Sequence, residues 1–303
     1  IIEYMNIEST KQEIDFFELY KVLLKKKYLI ALITTLFAAF SILYSLSLTN
    51  YYKSHAVLKV TNSDNPSSIS STISQYSGLA SMAGISVPSS GVDSKADIVI
   101  ATIQSRDFFK HLLSFDNMLQ EILAADGFIP KTGKTVYDSK LYDEKNDKWI
   151  RSPDGFKSNK PSYLEAHKEY IDNILSISQD KKSGFIYISA EHPSPIFTHK
   201  ILTIIISEIN NTMRSKQLTE SDAAISYLTN LSSSTAISDI KQSIDQILEN
   251  QIQTKMLATV NEDYIISVVD SPFIPEKKSK PSRSSIVIFG TLMGFIISIL
   301  ITL

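Results

Sequence analysis

The chain has 303 residues, 43% hydrophobic and 20% charged, with 30 basic against 32 acidic side chains and a mean hydropathy of +0.01. That near-balance of charge argues against a nucleic-acid binder, and the lack of Cys excludes disulfides, iron-sulfur clusters and thiolate metal sites. The averages suit an ordinary soluble domain, yet the apolar residues concentrate in two uncharged runs near the ends.

Residues 1–27 form an amphipathic N-terminus: Phe16, Phe17, Tyr20, Leu23 and Leu24 recur at helical spacing, with Asp15, Glu18 and Lys21 between them. The pattern suits an interfacial anchor; its other reading is a docking site for a cytoplasmic partner. Residues 28–48 then carry no charge for 21 positions. At about 1.5 Å per residue, that is long enough for a hydrocarbon core of about 30 Å, and it reads as a transmembrane helix. A signal peptide is the rival, but its apolar stretch is usually about 7 to 15 residues and lies nearer the start of a chain. Lys21, Lys25, Lys26 and Lys27 place the N-terminus on the cytoplasmic side.

A second uncharged run at 284–303 is also long enough to span, so 49–283 falls outside the cytoplasm and the chain returns inward. Lys277, Lys278, Lys280 and Arg283 stand on the outer side of that span, against the charge rule. Long loops translocate largely regardless of charge, and these cations suit lipid headgroups. An initial Ile and an end inside an apolar run lead us to expect part of a longer chain.

Within the outer segment, His55 to Val60 alternates, with Ala56, Leu58 and Val60 on one side of an expected strand. Residues 62–91 are rich in Ser and Gly and read as a long loop. Ser94 and Asp97 have capping-box spacing at the start of a helical stretch that runs to Ala125 through Phe108, Phe109, Leu112, Leu113, Leu119, Ile122 and Leu123. A polar insertion broken by Gly and Pro follows at 127–161, with Trp149 as a local packing anchor.

The stretch from Gly184 is the most informative. Phe185 to Ala190 reads as a strand from its β-branched and aromatic content, and Ser194 and Pro195 supply a helix N-cap and first position. No Gly or Pro then appears until Pro272, which allows a long helical region over about 194–260, interrupted near Ser232, Ser233 and Ser234 and followed by a strand from Tyr264 to Val269. Its first turns are apolar and its continuation from Asn210 polar, the pattern of a helix that leaves its domain. Ile237, Ile240, Ile244 and Ile247, at spacings of three, four and three, form a coiled-coil-like seam. The seam suits a contact with the preceding helix and a contact between subunits equally, since periodicity shows a buried stripe and not what buries it. Parallel pairing of the two strands would make a right-handed crossover.

Chemistry is sparse. Gly133, Lys134 and Thr135 end like a phosphate loop, but Phe128 occupies the required glycine position and no strand leads in. His55, His111, His167, His192 and His199 lie in separate segments without metal-ligand spacing, with His192 expected in a turn and His199 on a helix surface. No Ser, His and acid set has a recognisable setting. The expectation is therefore no catalytic residue, no cofactor and no metal. Near the second span, Pro272, Pro275 and Pro281 stiffen an extended approach to the membrane, and Gly290 and Gly294 form GxxxG, which suits close helix packing.

Taken together, IDFFELYKVLLKKKYLI leading into the first run, the YKSHAVLKV strand, the long helical region and SPFIPEKKSKPSR before a Gly-containing second run resemble the Wzz-type polysaccharide co-polymerases, or chain-length determinant proteins. The resemblance implies an α+β membrane protein of the bacterial inner membrane. Two transmembrane helices flank a periplasmic domain at 49–283, with a small mixed sheet and long projecting helices. It also implies a non-catalytic homo-oligomeric ring that controls the length of O-antigen or a related polysaccharide. The implied partners are the ring's own copies, a polysaccharide polymerase or export machinery, the growing polysaccharide and membrane lipid, with no nucleic acid. Some relatives carry a cytoplasmic tyrosine kinase after the second span. A two-span sensory receptor with a ligand-binding outer domain is the alternative from another class, disfavoured because the Pro-rich entry to the second span would break a continuous signalling helix.

Overall fold

The computed structural model describes residues 24–61, 92–153, 155 and 157–302. The amphipathic stretch through Leu23 and the Ser- and Gly-rich segment at 62–91 lie outside the described residues. In chain order the elements are α1 (Lys27–Ser47), β1 (Tyr51–Val60), α2 (Val92–Ile103), α3 (Arg106–Leu112), α4 (Met118–Ala124), β2 (Ala125–Ile129), β3 (Lys134–Tyr137), β4 (Tyr142–Asp143), β5 (Lys148–Trp149) and α5 (Tyr163–Glu169). After a π-helical turn at Tyr170–Ile174 come β6 (Leu175–Gln179), β7 (Phe185–His192), α6 (Pro195–Ser234), α7 (Ser238–Val260), β8 (Ile266–Asp270), β9 (Lys278–Lys280) and α8 (Arg283–Thr302). Two compact units result, Ile1–Asn50 with Ser279–Leu303, and Tyr51–Lys278.

In the first unit, α1 and α8 are each long and apolar enough to cross a membrane by length and composition. They pack antiparallel. The Lys26 ammonium donates to the Thr302 carbonyl (3.2 Å), where the negative end of the helix dipole favours a cation. At the opposite end the Arg283 guanidinium donates to Asn50 Oδ1 (3.2 Å). Small and hydroxyl side chains face inward between the helices: Ser41, Ser45, Gly294, Ser298 and Thr302 are buried.

The second unit is built on a sheet whose main path runs β6, β7, β1, β8. Alternation in β1 places Ser54, Ala56, Leu58 and Val60 inward, opposite Ala190, Ile188 and Ile186 of β7 for the first three. The strand begins at Tyr51, earlier than its alternating residues alone suggest. β7 and β8 do not pair with each other. β1 lies between them, antiparallel to both, and β6 is antiparallel to β7. The expected parallel pairing of the two strands is thus corrected: pairing along this path is antiparallel, and the long helical excursion returns on the far side of β1.

Phe197, Ile201, Leu202, Ile205 and Ile209 of α6 share the buried core with the sheet, at the spacing of one helix face. Each such side chain contributes roughly 1.5 to 3 kcal/mol by burial. Ser194 caps α6 as the sequence predicts, its hydroxyl accepting from Phe197 N (3.4 Å), and Pro195 opens the helix. The helical stretch ahead of it is not continuous. α2 starts at Val92, so Ser94 falls inside its first turn and not at the cap. Ser105 caps α3, accepting from Phe108 N (3.2 Å), and Asn117 in a left-handed conformation (φ 60°) opens α4.

The insertion at 127–161 contains two small hairpins, β2–β3 and β4–β5. Trp149 packs on Tyr142 (centroids 5.3 Å), which also meets Tyr137 (5.4 Å). The insertion is fastened to α5 by the Arg151 guanidinium, bidentate on Glu165 at 2.7 and 2.9 Å. That guanidinium holds the Glu165 carboxyl down at about 2.

Candidate functional site

α6 runs 40 residues, about 60 Å at the helical rise. From Pro195 to Asn210 it is embedded, and beyond Asn210 only Ser221 is buried among the described residues of the helix. The chain turns at Thr235 to Ile237, slightly later than the serine cluster that was expected to interrupt it, and α7 returns along α6. Ser232 Oγ donates to Asp245 Oδ1 (2.8 Å), and Lys255 pairs with Asp222. Ten residues up one helix correspond to ten down the other, the register of an antiparallel hairpin.

This hairpin divides the isoleucine seam. Ile244 is 6% exposed and faces the hairpin interior, whereas Ile237, Ile240 and Ile247 are 60%, 48% and 46% exposed. Ile252, Met256 and Val260 add further exposed apolar surface to α7.

Where the hairpin leaves the sheet, Asn210 is almost fully buried. Its Oδ1 accepts from Ile265 N (3.0 Å) and Ile266 N (3.1 Å), and its Nδ2 donates to Ile266 O (2.9 Å). The amide does for the outer edge of β8 what a neighbouring strand would. An open groove of about 590 Å³ lies alongside, bordered by His199, Asn211, Arg214, Glu262 and Asp263.

Pro272 borders the same groove. The segment containing it is tied to β1 by Ser54, whose hydroxyl donates to Phe273 O (2.6 Å) and accepts from Phe273 N (3.2 Å). Pro275 follows within this unit, and Pro281, behind a cis peptide bond, lies in the other. Gly290 and Gly294 face α1. A Cβ on Gly290 would lie 2.7 Å from Ser41 Cβ, and one on Gly294 2.8 Å from Phe37 Cγ.

A half-buried acidic residue that pattern reading passed over is Glu121, on α4. Its carboxylate accepts from Thr135 Oγ1 (3.1 and 3.0 Å) and Tyr137 OH (2.9 Å), both on β3. Burial raises its pKa, against those hydroxyls and Lys200, which lower it. Gly133, Lys134 and Thr135 therefore belong to a β-hairpin beside this carboxylate, with β2 leading in where no strand was expected.

Residues 12–114 match the Wzz family model, described as chain length determinant protein. The resemblance seen in IDFFELYKVLLKKKYLI and YKSHAVLKV is borne out over this Wzz segment, which runs from ahead of α1 through β1 to α3. A full-length bacterial polysaccharide co-polymerase aligns over 95% of this chain and 96% of its own, at 12% identity and a TM-score of 0.40. A fragment of WzzB, a polysaccharide co-polymerase from Salmonella Typhimurium, aligns over 76% and 100%, at 15% identity and 0.29. Among curated proteins, none matches the sequence.

Beyond the Wzz segment, β7 ends on a buried histidine where a turn residue was expected. His192 Nε2 lies 2.8 Å from Glu121 O, and its Nδ1 accepts from Ser194 N (3.0 Å), so the neutral ring with its proton on Nε2 satisfies both contacts. Burial pushes its pKa down to about 4, outweighing both backbone contacts. The unfolded chain, near 6.5, binds the proton more readily. Stability from this group is therefore complete above about pH 6.5 and lost as pH falls through 4, an effect of about 3 kcal/mol over the window. Melting temperature between pH 7.5 and 5 is expected to fall in the parent and to fall less in His192→Gln; equal slopes would refute the assignment.

Among the described residues no cluster of three or more His, Asp or Glu could hold a metal ion. His111 meets Glu208 (2.6 Å) and His167 meets Gln104 O (2.9 Å), each in a local contact of its own.

Proposed function

We propose that the chain regulates the length of a surface polysaccharide, O-antigen or a related polymer, as a non-catalytic homo-oligomer in a bacterial inner membrane. The observation that carries this reading is the Wzz match over residues 12–114. Two apolar helices bracketing an α+β unit agree with it. In this reading 1–27 is cytoplasmic, 28–48 and 284–303 span the bilayer, and 49–283 is periplasmic. Lys26 at the carboxyl end of α8 then sits at the cytoplasmic surface, where basic residues concentrate. The partners of this assembly are a polymerase or export apparatus and the growing polymer. Deleting the gene and resolving the polysaccharide on a gel tests the reading: loss of the preferred length is expected, and an unchanged distribution overturns it.

Subunits in this ring meet through the exposed isoleucines of the hairpin. Ile240→Asp with Ile247→Asp is expected to reduce the mass of the detergent-solubilised assembly while leaving helix content intact, because charges on a covered apolar face must be desolvated. Ile244→Asp is expected to unfold the hairpin instead, since that side chain is enclosed within one chain. An unchanged mass for the first variant, by light scattering, would place the subunit contact elsewhere.

A further inference from the structure

The cavity beside Glu121 has a composition that neither membrane anchoring nor the hairpin uses. It holds about 310 Å³, at the small end of ligand pockets, and includes Glu121, Glu144, Lys134, Lys200, Ile196 and Phe197 in its walls. The lining thus carries two carboxylates and two ammonium groups. A simple anion entering this space meets Glu121 and Glu144, and a simple cation meets Lys134 and Lys200, so neither gains a net field. A neutral polyhydroxyl ring meets both signs favourably, because each hydroxyl donates to a carboxylate and accepts from an ammonium.

The geometry leaves room for this. Thr135 and Tyr137 approach Glu121 from β3, and two hydroxyl donors do not exhaust a carboxylate with about four lone-pair sites. Lys200 spends one donor on Asp116 O (3.1 Å) and keeps others, as an ammonium carries three. Ile196 is exposed at the wall and Phe197 is packed behind it, which provides an apolar surface for the C–H face of a ring. The Glu121 backbone is itself fixed by its contact with the buried His192, so the carboxylate is presented from a rigid base.

We infer that this cavity is a subsite for one sugar unit of the polysaccharide, with Glu121 and Glu144 accepting from its hydroxyls, Lys134 and Lys200 donating to its oxygens, and Ile196 covering one face. The inference rests on the polysaccharide reading above and deepens it. The test uses the full chain in detergent and, as probe, oligosaccharides released by mild acid from the surface polysaccharide of the source strain, with dextran of similar length as control. Saturation-transfer NMR is expected to show transfer to the strain's sugar protons and much less to dextran. Glu121→Gln, which keeps shape and can still accept from Thr135 and Tyr137, is expected to weaken binding about tenfold, the scale of one charge-assisted hydrogen bond. Lys200→Met, which keeps the apolar stem, is expected to weaken it similarly. No preference over dextran, or binding unchanged in both variants at unchanged circular dichroism, overturns the subsite. Expressed in a strain lacking the gene, Glu121→Gln is expected to restore a regulated polymer of shifted preferred length. Wild-type length with that variant sinks the subsite alone, whereas failure of the functional reading would show in the deletion strain itself.

Discussion

Replacing Asn210 by Leu is expected to cost the full chain about 3 kcal/mol or more, although the two side chains are similar in size. The amide is 5% exposed and satisfies two backbone N–H groups and one carbonyl of Ile265 and Ile266. Leu would leave all three beside an apolar wall, and each unsatisfied buried group costs about 1 to 3 kcal/mol. Asn210→Asp isolates the donor's share. Its carboxylate still accepts from both N–H groups but faces the Ile266 carbonyl with negative charge, so it too is expected to destabilise. Asn211→Leu, one position along on the exposed surface, is expected to change stability by no more than about 0.5 kcal/mol. Thermal unfolding of the three variants in detergent checks the ranking. Equal stability of Asn210→Leu and the parent would mean that the edge of β8 is held by something else.

The same residue shows what periodicity can and cannot reveal. The core face of α6 was legible because Phe197, Ile201, Ile205 and Ile209 repeat at helical spacing, and the polar continuation marked where the helix leaves the sheet. Asn210 sits at the junction as a polar residue on an apolar face, a signal in itself, but its partners are more than fifty residues away in sequence and no local pattern names them. β1 was legible through Ala56, Leu58 and Val60, while its place between β7 and β8 was not. A strand's alternation fixes which face is buried and leaves its neighbours open. β6 and α5 escaped because Leu175–Gln179 mixes Ser with Ile and Tyr163–Glu169 is too short for a distinct helical period. Glu121 was hidden for a related reason. In a segment read for Leu119, Ile122 and Leu123 a single acid looks like solvent-facing punctuation, and only the folding of the β2–β3 hairpin beside it makes it a half-buried acceptor.

Substituting Val at both Gly290 and Gly294 is expected to separate the two apolar helices. A Cβ at Gly290 would approach Ser41 Cβ to 2.7 Å, and one at Gly294 would approach Phe37 Cγ to 2.8 Å. Carbon atoms rest at about 3.5 to 4.0 Å, so the helices must part by about 1 Å even for Ala, and Val adds two more methyl groups. In a lipid environment water supplies no driving force to push the helices together, and close van der Waals contact carries the association. A gap of this size forfeits a quarter to a half of that contact energy. Because the chain has no Cys, an introduced pair reports on the packing without background. Ser41 opposes Gly290 and Phe37 opposes Gly294, so one further turn along the antiparallel register sets Ser45 against Ile286. Ser45→Cys with Ile286→Cys is expected to cross-link readily in the parent and about tenfold more slowly with both Val substitutions, the scale of an overpacking penalty. Unchanged cross-linking would mean that the glycines face lipid and that Lys26 and Arg283, anchored on Thr302 and Asn50, hold the pair from its ends.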